Sequence, residues 1–456
     1  MIEPGDPARS SFGRNDQGGA AGGQAAAQAV GRYVVTFAEG TTDVDRTGAL
    51  RTAAGMQSVM STRDVDARTL DLRQAAGAEA VIFARLGAAV VSADADQVAA
   101  LRATGQLASV RPSRVYRALT DPSVGPSGAM LSYLRGRRDE ATDLCDKLAP
   151  ETGAIGTEAA VESYQDTERL TWGLQAIGAA SSRCRGSGVK VAVLDTGLDE
   201  THPDFQGRNV TARSFVPSPD VKGELQGPHD GHGHGTHCVG TACGPLQPAG
   251  GGRRYGVAYQ AEIYVGKVLD DEGFGEDSSI IAGIEWALAQ GCDVLSLSFG
   301  AAVRQIDEGY ETIARRALDA GCLVVAAAGN NGNRAFGDPG FVEVPANSPS
   351  VIAVGAVDSR LRVADFSARS LPVQGGQVDL MAPGVSVYSS WPMMEEHRVL
   401  NGTSMATPHV AGVAALWGES TGRRGVDLWS TLVQGARRLG LASVDVGAGL
   451  VQAPSC

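Results

Sequence analysis

The feature that most restricts this chain is a series of short, almost wholly apolar runs at residues 189–194, 263–268, 294–297, 323–327 and 351–357. A strand that is apolar along its whole length must be covered on both faces, and parallel sheets flanked by helices provide that cover. Segments with helical patterning, notably 279–290 and 305–320, separate the runs. Strand and helix therefore alternate across residues 170–456. This predicts one large α/β domain of three layers around a mostly parallel sheet.

The chain before it has a different texture. Residues 32–37 read as a strand, 80–93 as two strands around a turn at Gly87, and 107–112 as a last strand. Helical patterning covers 45–60 and resumes after Ala93, where Asp94 and Asp96 give an acidic first turn and Val98 and Leu101 share a face. The order β-α-β-β-α-β predicts a small ferredoxin-like α+β unit over residues 30–119. Residues 1–29, rich in Gly, Ala and Gln without periodicity, read as a disordered leader. Residues 120–169 read as a linker or insertion.

Composition removes several classes of function. With 39 Lys and Arg against 51 Asp and Glu the net charge is −12, so no nucleic acid and no anionic membrane surface is expected as partner. No apolar run approaches the 18 or so residues of a membrane helix. Seven cysteines spread over 456 residues do not make a disulfide scaffold and suggest mainly free thiols with at most one bridge. Residues 1–25 lack the apolar core of a secretory signal, so the chain as written is expected to be cytoplasmic, or secreted if exported by another route or from an earlier start.

Four motifs fall at strand ends, where open α/β sheets place their ligands. Asp195-Thr196-Gly197 follows the first apolar run. Alone it reads equally as a turn, and an aspartic protease would need a second such loop. Gly231-His232-Gly233-His234-Gly235-Thr236-His237 has three readings: a metal-binding His-x-His-x-x-His, a single catalytic base, or a His-rich loop. Ala328-Gly329-Asn330 closes another strand with an amide that can either form a turn or point at a carbonyl oxygen. Asn401-Gly402-Thr403-Ser404-Met405-Ala406-Thr407-Pro408-His409 sets a serine at the start of an apolar helix, where free N–H groups and the helix dipole favour a developing oxyanion.

The order Asp…His…Ser together with these motifs resembles the subtilase family of serine proteases across residues 172–452. Cys238 directly after His-Gly-Thr-His, and Arg254-Tyr255-Gly256-Val257-Ala258, resemble the proteinase K branch. The resemblance implies a subtilisin-like fold and a serine endopeptidase working through an acyl-enzyme. It implies Asp195, His234 and Ser404 as catalytic residues and Asn330 as oxyanion donor. It further implies protein or peptide substrates held between Gly273-Phe274-Gly275 and Ser298-Phe299-Gly300, with Ala327-Ala328-Gly329 lining the pocket before the cut. That pocket is expected to be uncharged. Five acids at Asp270, Asp271, Glu272, Glu276 and Asp277 read either as a solvated loop or as a preference for basic residues upstream. Residues 30–119 resemble the family's propeptide, which inhibits, aids folding and plugs the cleft with its C-terminal tail, and a self-inhibited zymogen maturing somewhere within 117–170 follows. No cofactor is needed for the chemistry. Asp204 matches a family calcium carboxylate, but residues 245–254 replace the loop that completes that site, so no calcium is assigned there, and Asp358 stands as another candidate. Two rival readings are a binding protein that never releases its prosegment and a His-cluster metallo-hydrolase.

Overall fold

The structure, a computed structural model, describes residues 30–65, 77–120, 163–221, 223–373 and 375–456. The expected leader and most of the expected linker lie outside these residues. The chain opens with β1 (Gly31–Phe37), α1 (Asp43–Gly48), β2 (Val59–Ser61), β3 (Ala80–Phe83), β4 (Ala88–Ala93), α2 (Ala95–Ala103) and β5 (Leu107–Pro112). These strands form one sheet in the order β2-β3-β4-β1-β5. Without β2, a short edge strand parallel to β3, the order is that of a ferredoxin-like unit. Thr42 and Asp94 cap the two helices with reciprocal capping boxes. The expected helix over 45–60 is only half right. It runs on through a wide turn at Ala49–Ala53 and stops before Gly55 at φ 69°, after which the chain becomes β2. This unit has its own core around Val35, Phe37, Leu50, Met56, Ile82 and Leu101.

A short strand, β6 (Val115–Ala118), follows. The remaining elements are α3 (Trp172–Ala176), β7 (Lys190–Asp195), β8 (Val210–Ser214), α4 (His234–Cys243), β9 (Glu262–Lys267), β10 (Phe274–Glu276) and α5 (Asp277–Ala289). Then come β11 (Val294–Leu297), β12 (Phe299–Gly300), α6 (Glu308–Asp319), β13 (Leu323–Ala327), β14 (Ile352–Val357), β15 (Leu380–Pro383), β16 (Val387–Ser390), β17 (His397–Leu400), α7 (Thr403–Thr421), α8 (Gly425–Gly435) and α9 (Ser443–Val446). Among the described residues, seven strands form the central sheet in the order β15-β14-β13-β11-β7-β9-β8, and every pair in it is parallel. Helices α4 and α7 pack on each other and on one face, while α5 and α6 cover the other. This is the three-layer α/β architecture expected of the subtilisin fold.

The winding places the site. From β7 the chain builds outward through β8 and β9, then returns to the other side of β7 with β11 and continues to β15. The crevice where that direction reverses opens at the C-terminal ends of β7 and β11, the ordinary binding position of an open α/β sheet. Asp195 ends β7 and Ser298 directly follows β11. Far from this rim, a disulfide joins Cys184 to Cys456 across 272 residues. Cys238, Cys243, Cys292 and Cys322 are free and buried. Cys145 lies outside the described residues.

Candidate active site

Asp195, His234 and Ser404 come from three separated stretches and are all fully buried. His234 Nδ1 lies 2.7 Å from Asp195 Oδ1. That oxygen also accepts the Thr196 amide at 2.8 Å. His234 Nε2 has no hydrogen-bond partner among the described residues. Burial favours the neutral imidazole, but the adjacent Asp195 carboxylate outweighs it and holds the His234 pKa well above the usual 6.5.

The first turn of α4 that carries His234 is held by a residue the sequence reading missed. Buried Asp230 accepts the His232 and Gly233 amides and the Thr196 hydroxyl through Oδ1, and the Thr236 amide and hydroxyl through Oδ2. The available signal was an acid just upstream of a Gly-His run at a helix start. Gly235 lets α4 meet the β7 turn, since a Cβ there would fall 2.3 Å from the Gly197 carbonyl oxygen.

The three histidines of the His-rich motif do not converge. His234 faces Asp195, whereas His237 Nε2 turns to the Val387 and Arg398 carbonyls in the β16–β17 hairpin. Those acceptors put the proton on Nε2. Burial then drives the His237 pKa down to about 3. The metallo-hydrolase reading required His234 and His237 on one ion, and the directions of these two rings rule that out.

Ser404 occupies the first turn of α7. Its hydroxyl donates to the Ser298 carbonyl at 2.7 Å and is not bonded to His234. Pro408, four residues on, has no N–H to give the Ser404 carbonyl. That carbonyl instead accepts the Ser298 hydroxyl at 3.0 Å and the Cys238 thiol at 3.5 Å. Cys238 Sγ is also 3.9 Å from His234 Nδ1, so it bridges the packed helices between imidazole and serine. Burial raises its pKa, which suits a small packing residue.

Asn330 is anchored by its Oδ1, which accepts both the amide and the hydroxyl of Thr403, at 2.9 and 2.8 Å. Its Nδ2 is thereby aimed outward and donates to the Leu119 carbonyl at 2.6 Å. Leu119 follows β6, and β6 lies in the cleft as an antiparallel strand between β10 and β12. Ala118 N bonds the Gly273 carbonyl at 2.9 Å and Leu119 N bonds the Ser298 carbonyl at 3.2 Å. Gly273-Phe274-Gly275 and Ser298-Phe299-Gly300 thus clasp this chain's own segment. Gly402 is needed there, because a Cβ on it would lie 2.6 Å from the Leu119 oxygen.

The side chain of Leu119 is buried beside Gly300, near the end of β13 where Ala327, Ala328 and Gly329 lie. The pocket expected to carry no charge does contain an ionisable group. Glu343, wholly buried, reaches this pocket from the segment before β14. Main-chain bonds from Glu343 to Ala328 and from Ala301 to Val344 bring it in.

Of the acids around β10, Asp271, Glu272 and Glu276 are exposed, as a solvated loop requires, Asp270 is half-buried and Asp277 is buried. Asp270 accepts two amides of its own turn, and Asp271 pairs with buried Lys267 at 2.7 Å. Glu276 pairs with Arg32, and buried Asp277 accepts Arg111 through both oxygens at 2.7 and 2.9 Å. Arg111 and Arg114 also pair with buried Asp307, the N-cap of α6. Glu285, buried on α5, accepts the Thr62 hydroxyl and the Arg85 and Leu86 amides. The N-terminal unit therefore docks on α5 and α6 through two acids at helix N-termini, Asp277 and Asp307, and through Glu285 further along α5.

Asp204 is not set up for calcium. Its carboxylate accepts the Tyr255 hydroxyl, the Ala249 amide and His397 Nε2. The next nearest ligand group is a second imidazole, His202. Burial alone would raise the Asp204 pKa, yet these donors hold it below the usual carboxylate value. A calcium ion wants six to eight oxygens, and this set does not fit it. At Asp358 the carboxylate is taken by Arg362 and by the amides of Arg360 and Arg362.

Comparison with known proteins gives the same family as the motifs. The family model described as "Subtilase family" matches residues 186–449. Subtilisin E of Bacillus subtilis (strain 168) is 41% identical over 283 residues, covering 60% of this chain and 69% of that protein. Subtilisin of Bacillus pumilus is 44% identical over 231 residues, covering 51% and 77%. M-protease of Shouchella clausii is 41% identical over 274 residues, covering 59% and 64%.

Proposed function

This chain belongs to the subtilase family and is a subtilisin-like serine endopeptidase, and on that premise we propose that it cuts itself between Leu119 and Thr120 before it cuts other proteins. A serine hydroxyl is a weak nucleophile at neutral pH and needs a base. Turning about χ1, away from the Ser298 carbonyl, Ser404 Oγ attacks the carbonyl carbon bound in the cleft and passes its proton to His234 Nε2. The ring nitrogen without a partner is the one this step uses. Asp195 keeps the imidazole proton on Nδ1 and stabilises the imidazolium that forms. Asn330 Nδ2 and the Ser404 backbone N–H, in the first turn of α7, hold the oxyanion. The C–N bond then breaks, His234 returns the proton to the amine, and water releases the acyl group by the same steps in reverse.

The observation that carries this reading is the Leu119 carbonyl seated on the Asn330 amide at 2.6 Å, at the end of a strand clasped on both edges. It supports residues 30–119 as an inhibitory prosegment, bound as substrate is bound and held on by the pairs to Asp277, Asp307 and Glu285. The Cys184–Cys456 bridge favours work in an oxidising compartment, hence the exported reading over the cytoplasmic one.

The test joins a serine-directed fluorophosphonate label, mapped by peptide mass, with N-terminal sequencing of the active species. The label on Ser404 and a new N-terminus at Thr120 are expected. Ser404→Ala should stay uncut with its fold intact. Cleavage in that variant, or a label elsewhere, overturns the assignment. A wild-type chain that never releases residues 30–119 would support the binding-protein reading instead.

A further inference from the structure

The pocket that receives the residue before the cut contains a carboxylate with half its hydrogen-bonding capacity unused. Glu343 is fully buried, and its Oε1 accepts Asn331 Nδ2 at 2.7 Å. Its Oε2 is buried and has no hydrogen-bond partner among the described residues. Two glycines locate the group. A Cβ on Gly300 would lie 2.9 Å from Glu343 Oε2 and 3.0 Å from Leu119 Cδ1, so the free oxygen and the occupant's methyl flank one point. A Cβ on Gly329, just past the end of β13, would lie 2.8 Å from Glu343 Cγ. Glu343 thus contacts both Gly300 and Gly329, with its unpaired oxygen beside the bound side chain.

A buried, half-satisfied carboxylate is costly to keep next to a leucine. Aliphatic stems with a cationic end suit such a pocket far better, because the stem covers the apolar walls and the head pairs with the acid. We propose that Glu343 is a specificity-determining residue and that the pocket selects lysine or arginine before the cut, with Leu119 a tolerated but poorer occupant. The inference rests on the cleavage reading above and names the side chain that reading leaves open. Burial pushes the Glu343 carboxyl above its usual range, with the Asn331 hydrogen bond and nearby Arg117 pulling the other way. The neutral acid is the form compatible with leucine, and the ionised acid is the form a cation selects. Preference for the basic side chain should therefore strengthen as pH rises through the Glu343 ionisation.

The assignment also gives self-processing a direction. A prosegment ending in leucine leaves Oε2 unpaired, so a substrate that offers a cation there displaces it at an advantage.

The experiment compares peptide anilides that differ only in the residue before the cut (Leu, Gln, Lys, Arg), using the self-processed full chain between pH 5 and 9. At pH 8, kcat/KM for Lys or Arg should exceed that for Leu by about tenfold, one good charge-assisted pair. The ratio should fall as pH is lowered. Glu343→Gln, nearly isosteric, should reduce the Lys-to-Leu ratio at least tenfold and flatten its pH dependence. Wild-type enzyme that prefers Leu at every pH, or a ratio untouched by E343Q, overturns the inference. The wild-type series alone decides if the variant does not fold. Fluorophosphonate labelling of Ser404 in the same samples separates the two levels: a labelled enzyme active on Leu without basic preference sinks only the Glu343 inference. An unlabelled preparation inactive on every anilide sinks the cleavage reading as well.

Discussion

Replacing Glu285 by alanine should loosen the N-terminal unit from α5 while leaving the cleft untouched. Glu285 is on α5, wholly buried, and its carboxylate faces the N-terminal unit. It accepts the Thr62 hydroxyl at 2.8 Å and the Arg85 and Leu86 amides at 3.2 Å each. A net hydrogen bond contributes about 1 kcal/mol, and one to a charged group about twice that. Here burial raises the Glu285 pKa despite those three donors and nearby Arg85, so the carboxylate is incompletely compensated and the lower figure applies. Three contacts at ~1 kcal/mol give roughly 3 kcal/mol, or about a hundredfold in affinity. The assay is inhibition of the matured enzyme by separately produced residues 30–119, with Ki for E285A set against wild type. An increase of about 10²-fold is expected, with kcat/KM on a small peptide unchanged. A Ki within threefold of wild type would refute the reasoning, because it would mean that water replaces all three contacts at no cost.

Asn330→Ala should lower kcat by on the order of 10²–10³ with little change in KM; that range is the general one for an oxyanion donor and comes from a subtilisin, not from this geometry. Active-site titration alongside steady-state kinetics checks it, and a loss confined to KM would contradict it. The His234 pKa is held above 6.5 by Asp195, so the imidazole stays protonated over a wider range and the acid limb of kcat/KM should lie above pH 6.5. Asp195→Asn should move that limb downward while cutting activity, and a limb that stays in place would remove Asp195 from this role. Cys184→Ser should reduce stability by about 2–4 kcal/mol through the lost cross-link over a long stretch of chain. Denaturant melts of the inactive S404A background, free of self-digestion, should read that loss, and equal midpoints would count against it.

The sheet and its chemistry were largely legible from the letters, because both are local facts. A doubly buried strand must be apolar along its length, so all five runs appear as β7, β9, β11, β13 and β14 within a residue or so. Strand ends and helix starts carry short Gly-rich motifs, so Asp195, His234, Asn330 and Ser404 stand out singly. The serine's position before Pro408 was visible too, although not its consequence, the freed carbonyl that ties α7 to Ser298 and Cys238. The helix expected over 45–60 failed where a local signal, Gly55, was outweighed by patterning.

What no run or spacing contains is which distant residues share a point in space. Glu343 lies in no motif, and it enters the pocket only because main-chain bonds at Ala301 and Ala328 close around its segment. Asp277 and Asp307 read as ordinary helix-start acids until the arginines of another unit meet them. Cys184 and Cys456 were two of seven equivalent letters. Leu119 was one residue within a range of fifty or so, and its place at Asn330 follows from the register of β6 between two edges. Local sequence sets which groups are available at strand and helix ends through backbone geometry and burial. The path of the chain, fixed by the packing of the whole, decides which of them face each other, and so decides what fills the cleft and what charge waits in its pocket.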